Sequence, residues 1–391
     1  MKVLLINSVC GVGSTGKICV DLAKLIVSQG DECVIAYGRG IAKGYDRTYK
    51  ITSSLGNKFH FLKSRIFDKH GLGNALETKK FIKFIKEYNP DVIHLHNIHG
   101  YYLNYKILFE YLKTYEGKVV WTMHDMWPVT GHCACTLDCT KWQNKCHSCT
   151  LKNEYPKTIL SRAEKNYFLK KDCFSGVKNM TIVTVSNWLK SEFEKSFLSN
   201  YEIKVLNNGI DLNLFCPTES DFRKINNLED KKVLLAVADR WVERKGYYDF
   251  IKLSNLLDDN TKLVMVGLTE EQKNSLPSNI LGITRTDNQK QLIEIYTAAD
   301  LFVNLTYSDN FPTVNLESLA CGTPVLTYKT GGSPEMLTGK TGFVVEQKDI
   351  EGVAKIIKDY KKTPEIKKEC ISQAKNYDKN LRFNEYLKLY K

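Results

Sequence analysis

No run in these 391 residues approaches the roughly 18 consecutive apolar side chains that a membrane-crossing helix needs. The opening stretch, MKVLLINSVCG, holds one lysine and an apolar run that stops at Asn7, too short for a secretory leader. It reads as a first buried strand, and a cytoplasmic protein is expected. Internal repeats and low-complexity segments are lacking as well, which turns the reading away from solenoids and disordered tails. No D-x-D pair sits in a loop where it would demand a divalent ion. The even studding of cysteines that marks a small secreted scaffold is also missing. Of twelve cysteines, five (Cys133, Cys135, Cys139, Cys146 and Cys149) fall within 17 residues. The rest are scattered, several in apolar contexts, and read as small core residues in a reducing compartment.

The length suits two to three domains with ample apolar content for cores. Lysine and arginine number 56 against 44 aspartates and glutamates, a net charge of +12. That balance favours phosphate-bearing partners: a nucleotide, an anionic membrane or a nucleic acid.

Strand and helix signals alternate along the chain. Strands are expected at Lys2 to Ile6, Glu32 to Tyr37, Pro90 to His96, Lys118 to Met123, Thr181 to Val185 and Lys204 to Leu206. Composition turns charged at Asn226 to Lys232, and the pattern restarts with Val233 to Val237, Leu263 to Gly267, Leu301 to Leu305 and Pro324 to Tyr328. Such alternation implies parallel sheets flanked by helices. Two Rossmann-like domains with a cleft between them follow, and Gln373 to Tyr390 reads as one further helical pattern.

Five stretches carry candidate chemistry. In Asp300 to Glu335 a strand breaks into the loop Thr306 to Pro312 and a helix follows, a βαβ arrangement whose strand end is where open α/β sheets bind ligands. Asp309 and Glu317, eight positions apart, put two carboxylates at that crevice; a helix-capping acid and a solvated glutamate are the other reading. Arg240 and Lys245, five apart after the first strand of the second half, can converge on a pyrophosphate, Arg as a fork and Lys as a mobile point charge. Gly11-Val12-Gly13-Ser14-Thr15-Gly16-Lys17 matches the spacing of a phosphate-cradling P-loop, but Ile18 stands where Ser or Thr must hold Mg²⁺. A glycine turn that brings backbone amides to an anion is the alternative. His124-Asp125 ends a strand. Cys133, Cys139, Cys146 and Cys149, spaced C-x5-C-x6-C-x2-C with Cys135 and His132 as alternates, suit a structural zinc; disulfides or packed thiols are the rival readings.

These motifs together resemble the retaining glycosyltransferases of family 4, in the branch that builds bacterial polysaccharides. The family's E-x7-E element stands here as Asp309-Asn310-Phe311-Pro312 through Glu317, followed by Ala320-Cys321-Gly322-Thr323-Pro324-Val325; its R-x4-K-G element is Arg240 to Lys245 with Gly246. His124-Asp125 with Trp127 and Pro128 matches H-D-x-W-P, Asn208-Gly209-Ile210-Asp211 matches N-G-I/V-D between the domains, and Ser186 and Trp188 match a family strand end. The departure is Asp309, one methylene shorter than the family's Glu.

The resemblance implies the GT-B fold: two Rossmann-like domains facing each other across a cleft, with a C-terminal helix crossing back to the first. The expected division is 1–207, acceptor side with a Cys-rich loop at 131–150; 208–372, binding the nucleotide sugar; and 373–391, the crossover helix. Glu317 is expected on the nucleotide ribose, and Arg240 and Lys245 on the diphosphate. Asp309 with Asn310, Phe311 and Pro312 is expected on the donor sugar, Gly11 and Gly13 under the diphosphate, and Thr284-Arg285-Thr286 near the base. His124 would hydrogen-bond the transferred sugar or stabilise its developing positive charge. The acceptor proton goes to the leaving phosphate, and no cofactor is required for catalysis. Expected partners are a UDP- or GDP-sugar donor and a glycan or polyprenyl-diphosphate-linked acceptor, with no nucleic acid.

Two basic aromatic stretches, Lys58 to Phe67 and Lys79 to Lys86, are either helices with ordinary core and solvated faces or a peripheral contact with the inner face of the plasma membrane. Two other functions stay open: a P-loop-like nucleotide-dependent enzyme, and a zinc-containing nucleic-acid-binding protein.

Overall fold

The apolar runs become buried parallel strands. In the first half these are β1 (Lys2–Asn7), β2 (Glu32–Tyr37), β3 (Thr48–Lys50), β4 (Val92–Leu95), β5 (Lys118–Met123), β6 (Met180–Thr184) and β7 (Glu202–Val205). They form one parallel sheet in the order β3-β2-β1-β4-β5-β6-β7. The second half supplies β8 (Lys232–Val237), β9 (Thr261–Val266), β10 (Ile280–Ile283), β11 (Leu301–Asn304), β12 (Val325–Tyr328) and β13 (Gly342–Val345). These form a second parallel sheet, β10-β9-β8-β11-β12-β13. Helices cover both faces of such sheets, so their strands are apolar nearly throughout; Val3, Leu4, Leu5 and Ile6 are all fully buried.

This computed structural model describes all 391 residues. They fall into two units, Met1–Asn207 with Phe383–Lys391, and Asn208–Arg382. In each, the strand order reverses once, between β1 and β4 in the first and between β8 and β11 in the second. The C-terminal strand ends flanking such a reversal are where doubly wound sheets bind ligands. No helix is long and apolar enough to cross a membrane.

The single helix expected over Gln373 to Tyr390 is two, Pro364–Lys375 and Lys379–Tyr390. The break exists because the chain there pairs with Ile210: Ile210 N–H donates to Tyr377 O at 2.8 Å and Lys379 N–H to Ile210 O at 2.9 Å. Past it, Phe383, Tyr386, Leu387 and Tyr390 bury themselves beside Val3, Leu5 and Ile35 in the first unit's core. Each aromatic of this kind removes about 150–250 Å² from water, which fixes the last turns on that unit. Strands β3, β10 and β13, which the sequence pattern did not suggest, are three or four residues long and lie at the sheet edges.

Candidate active site

In the second unit the loop after β11 and the helix Thr313–Ala320 carry both expected carboxylates. Asp309 does not cap that helix; the N-cap is Pro312, with no side-chain bond. Asp309 instead braces its own loop, one oxygen accepting from Phe311 N–H at 3.3 Å and the other from Lys245 Nζ at 2.8 Å. Glu317 is half-buried inside the helix, and its Oε2 accepts from the Tyr296 hydroxyl at 3.0 Å. Tyr296 is fully buried, and burial followed by the Glu317 charge raises its pKa well above that of a free phenol, so it remains a donor. Sequence reasoning missed Tyr296, because an aromatic in an amphipathic helix looks like core.

The Arg-Lys-Gly element approaches the same loop. Gly246 takes φ of 75°, and a Cβ there would lie 2.2 Å from Leu305 O, so only glycine lets this turn close onto the end of β11. Arg244 seals the contact, its Nη1 donating to Ser308 O at 2.8 Å while its carbonyl accepts from Tyr307 N–H at 2.9 Å. Arg240 is exposed and makes no ion pair. The unit therefore brings together Lys245, Asp309 and Phe311 by contact, with Pro312 at the start and Glu317 in the second turn of the adjoining helix, while Arg240 projects into solvent.

In the first unit, Gly11 takes φ of 69° with its N–H on Gly16 O at 3.0 Å, and a Cβ would meet Lys43 O at 2.0 Å. Gly13 opens the helix Gly13–Ser28 with nothing packed over it. Lys17 is exposed and Ile18 is buried in the core, so the position that would have to hold Mg²⁺ faces apolar side chains.

His124, after β5, sits behind a train of buried imidazoles. Its Nε2 lies 3.0 Å from His96 Nδ1 and the two rings stack at 5.3 Å. His94 in turn meets the Tyr390 hydroxyl at 2.6 Å and the Thr122 hydroxyl at 2.7 Å. Burial drives the His124 pKa down to about 4 and that of His94 to about 3, so both are neutral at ordinary pH. Asp125 receives His99 Nε2 at 2.8 Å and Trp127 N–H at 2.9 Å. Burial would raise its pKa, but the His99 charge and these bonds outweigh it and hold the carboxyl below its usual range. His96 and His99 are in direct contact with the His124–Asp125 corner, and His94 lies one ring behind it.

The zinc set expected through Cys133, Cys139, Cys146 and Cys149 is not formed. These four cysteines and His132 line one cavity of about 10 Å³, roughly the room of a single water. No three His, Cys, Asp or Glu side chains converge closely enough to hold a metal ion. Two of these groups are engaged by local partners. The Cys146 sulfur accepts Gly131 N–H at 3.1 Å, and His132 Nδ1 is turned onto Asp68 at 2.7 Å. Burial pushes the Cys133 thiol up, and Cys146 up to about 11. All twelve cysteines are free thiols, so disulfides are not formed either.

The second basic aromatic stretch is ordinary core. Phe81 and Ile85 are buried, and Phe84 stacks on Tyr49 at 4.2 Å. The helix Ser54–Phe67 differs: Leu55, Phe59, Phe61, Leu62 and Phe67 are all exposed.

A family model described as Glycosyltransferase Family 4 matches residues 15–214, and one described as Glycosyl transferases group 1 matches residues 218–377. The putative colanic acid biosynthesis glycosyl transferase WcaC of Escherichia coli (strain K12) is 25% identical over 368 residues, 90% of this chain and 88% of that one. The N,N'-diacetylbacillosaminyl-diphospho-undecaprenol alpha-1,3-N-acetylgalactosaminyltransferase of Campylobacter jejuni is 26% identical over 220 residues, 51% of this chain and 58% of that one. Among solved structures, Anabaena HepE in complex with UDP superposes with a TM-score of 0.70 at 15% identity, covering 100% of this chain and 99% of that one.

Proposed function

The chain belongs to glycosyltransferase family 4, with the GT-B fold, and from that premise we propose that its second unit binds a nucleoside-diphosphate sugar and its first unit a lipid-linked glycan acceptor. The observation that carries the donor reading is the Lys245–Asp309 contact of 2.8 Å beside the Glu317–Tyr296 bond of 3.0 Å, both at the strand reversal of β8 and β11. A cation already held at the strand end needs only to swing onto the β-phosphate. Its departure releases the Asp309 oxygen for a hydroxyl of the donor sugar. Glu317, oriented by Tyr296, takes the ribose hydroxyls. Arg240, exposed and unpaired, supplies a fork for the second phosphate.

Fixed cations then stabilise the charge that develops on the leaving diphosphate, and the departing oxygen takes the acceptor proton. His124 is neutral, so it acts as a hydrogen-bond partner for a sugar hydroxyl and not as a general acid. A UDP donor is supported by the UDP-bound neighbour, and a polyprenyl-diphosphate acceptor by the Campylobacter relative's named substrate. The exposed Phe59, Phe61 and Leu62 among Lys58, Lys63 and Arg65 supply the face that would rest on an anionic membrane carrying that acceptor.

The test is a thermal-shift panel of UDP-, GDP- and ADP-sugars in the presence of a chelator, on wild type and Glu317→Ala. Stabilisation by one nucleotide class, lost in the variant, is expected. A shift produced by Mg-ATP alone would overturn the reading.

A further inference from the structure

One cation in the first unit is buried at a donor atom and has no partner. Arg39 follows β2, and its backbone N–H is tied to Ser8 O at 2.9 Å. The preceding Gly38 is pressed under Tyr102, whose ring carbon would lie 2.0 Å from a Cβ at that position. This pins the start of the side chain. The guanidinium then lies along Gly100, where a Cβ would come within 3.5 Å of Nε and 3.6 Å of Cζ. Its Nε is buried without a hydrogen bond, and no carboxylate pairs with the group. A charged donor atom left unsatisfied in a buried position is unfavourable, and Arg39 is only half-buried as a residue, so its guanidinium can be reached by a ligand from outside the chain.

What surrounds Arg39 identifies the chemistry of that partner. Tyr101 follows Gly100 directly and its ring meets that of Tyr155 edge-on at 6.4 Å, so both phenols lie on the side the guanidinium faces. Burial raises the pKa of each and the Arg39 charge opposes it, while the Tyr155 hydroxyl also lies 3.3 Å from His99 Nδ1. Arg65 lies one turn beyond Phe61 on the helix Ser54–Phe67, whose Phe61 ring meets Tyr101, and its charge acts on Tyr101 in the same sense. The one carboxylate that reaches Tyr155, Asp125, is already engaged by His99 at 2.8 Å. Tyr101 is held in the left-handed region at φ of 70°, an outlier for a bulky residue, with its carbonyl fixed by Asn74 Nδ2 at 3.0 Å. Two cations and two phenols around one segment make a multidentate anion site, with guanidinium geometry suited to phosphate. On its other side Tyr101 meets Phe61 edge-on at 5.2 Å, and Phe61 opens the exposed apolar face of Ser54–Phe67.

We propose that Arg39, with Tyr101, Tyr155 and Arg65, is the subsite for the diphosphate of the acceptor, at the point where a prenyl chain leaves the apolar face and the head group begins. This rests on the assignment of the acceptor to the first unit.

The test is isothermal titration of the full chain with geranyl diphosphate, a soluble prenyl diphosphate, using wild type, R39Q, R39K and R240Q/K245Q. R39Q is expected to weaken binding at least about tenfold, the value of one charge-assisted bond. R39K should fall between, and R240Q/K245Q should bind as wild type does. Equal binding by wild type and R39Q would overturn the subsite, as would loss in R240Q/K245Q with retention in R39Q, because the anion then belongs to the donor cations. A parallel titration with UDP separates the two readings: Arg39-dependent geranyl diphosphate binding without UDP binding keeps the subsite and removes the donor assignment. Phosphatidylglycerol vesicles form the last arm. If R39Q lowers vesicle binding equally and geranyl diphosphate does not compete, Arg39 reads a lipid headgroup and the proposal fails.

Discussion

Tyr296→Phe isolates the contribution of a single oxygen atom to donor binding. The ring is fully buried and its hydroxyl lies 3.0 Å from Glu317 Oε2, so the substitution keeps the packing and removes one bond to a charged acceptor. Such bonds contribute about 1.5–3 kcal/mol, and the half-buried carboxylate recovers part of that from solvent. A stability loss of about 1–2 kcal/mol follows, a fall of roughly 2–8 °C in Tm for a unit of this size.

The effect on UDP binding comes from a different source. Without the phenol, Glu317 regains rotamer freedom that binding must remove, up to about 1.5–2 kcal/mol for a glutamate. The affinity for UDP should drop roughly fivefold to thirtyfold. Glu317→Ala would remove the proposed ribose contacts themselves, two charge-assisted bonds, and should cost on the order of a hundredfold. Tyr296 acts on ribose only through Glu317, so the double variant should match Glu317→Ala within about twofold instead of multiplying the two losses. Titration calorimetry on the four proteins decides this. Independent, multiplicative losses would refute the idea that Tyr296 orients Glu317 for the nucleotide.

Asp309→Asn should leave UDP affinity within about twofold while lowering kcat, because the diphosphate cation Lys245 is retained and the sugar contact is lost. Its Tm should barely move, since a half-exposed ion pair contributes about 0–1 kcal/mol; a kinetic profile with kcat intact would contradict the sugar role. Phe59→Glu with Leu62→Glu, both on solvent-facing positions, should abolish sedimentation with anionic vesicles without changing Tm, and unchanged sedimentation would remove the membrane contact. Burial depresses the pKa of His60 and His124 to about 4 and of His94 to about 3. Folded values below the unfolded value of about 6.5 mean that the unfolded chain takes up more protons as the pH falls. Stability should therefore be flat above about pH 7 and drop below 6.5, by about 1.4 kcal/mol per histidine at pH 5.5. Denaturant melts at pH 7.5 and 5.5 that coincide would show that these rings are not held neutral.

The strands at the centre of each sheet were readable because they are buried on both faces and leave uninterrupted apolar runs, as in Val3 to Ile6 or Val233 to Ala236. The edge strands β3, β10 and β13 were not, being only three or four residues long and half in solvent. The break at Asn376 to Asp378 was invisible for another reason: it is imposed by pairing with Ile210, a contact between residues far apart in the chain. Motif spacing pointed to the Asp309–Glu317 stretch and the Arg-Lys-Gly turn, and the contact of Lys245 with Asp309 gives that spacing a physical meaning. Tyr296, Arg39 and Lys170 left no sequence signal, because what singles each out is burial beside a particular partner. The cysteine spacing misled. The four thiols do gather around one small cavity, but no three side chains there are arranged to hold a metal ion.

Lys170 brings the argument back to His124. Its ammonium is buried, donates to Trp127 O at 2.6 Å and Thr130 O at 3.0 Å, and lies 3.5 Å from the centre of the Trp127 ring. Burial lowers its pKa to about 7, so near neutral pH the group is poised between its charged and neutral forms and its bonds to the two carbonyls matter all the more. The carbonyls it holds belong to the turn just after Asp125, and Trp127 packs against His99 at 5.2 Å, the ring that engages Asp125. From the opposite side, the Tyr390 hydroxyl on the final helix meets His94, the His94 ring lies tilted against His96 at 4.1 Å, and His96 meets His124. Apolar side chains would fill the same volume with less desolvation, but they would not fix ring orientation. Hydrogen bonds from two directions leave the His124–Asp125 corner one arrangement, which is the orientation that the proposed contact of a neutral imidazole with one sugar hydroxyl would need before the substrate arrives.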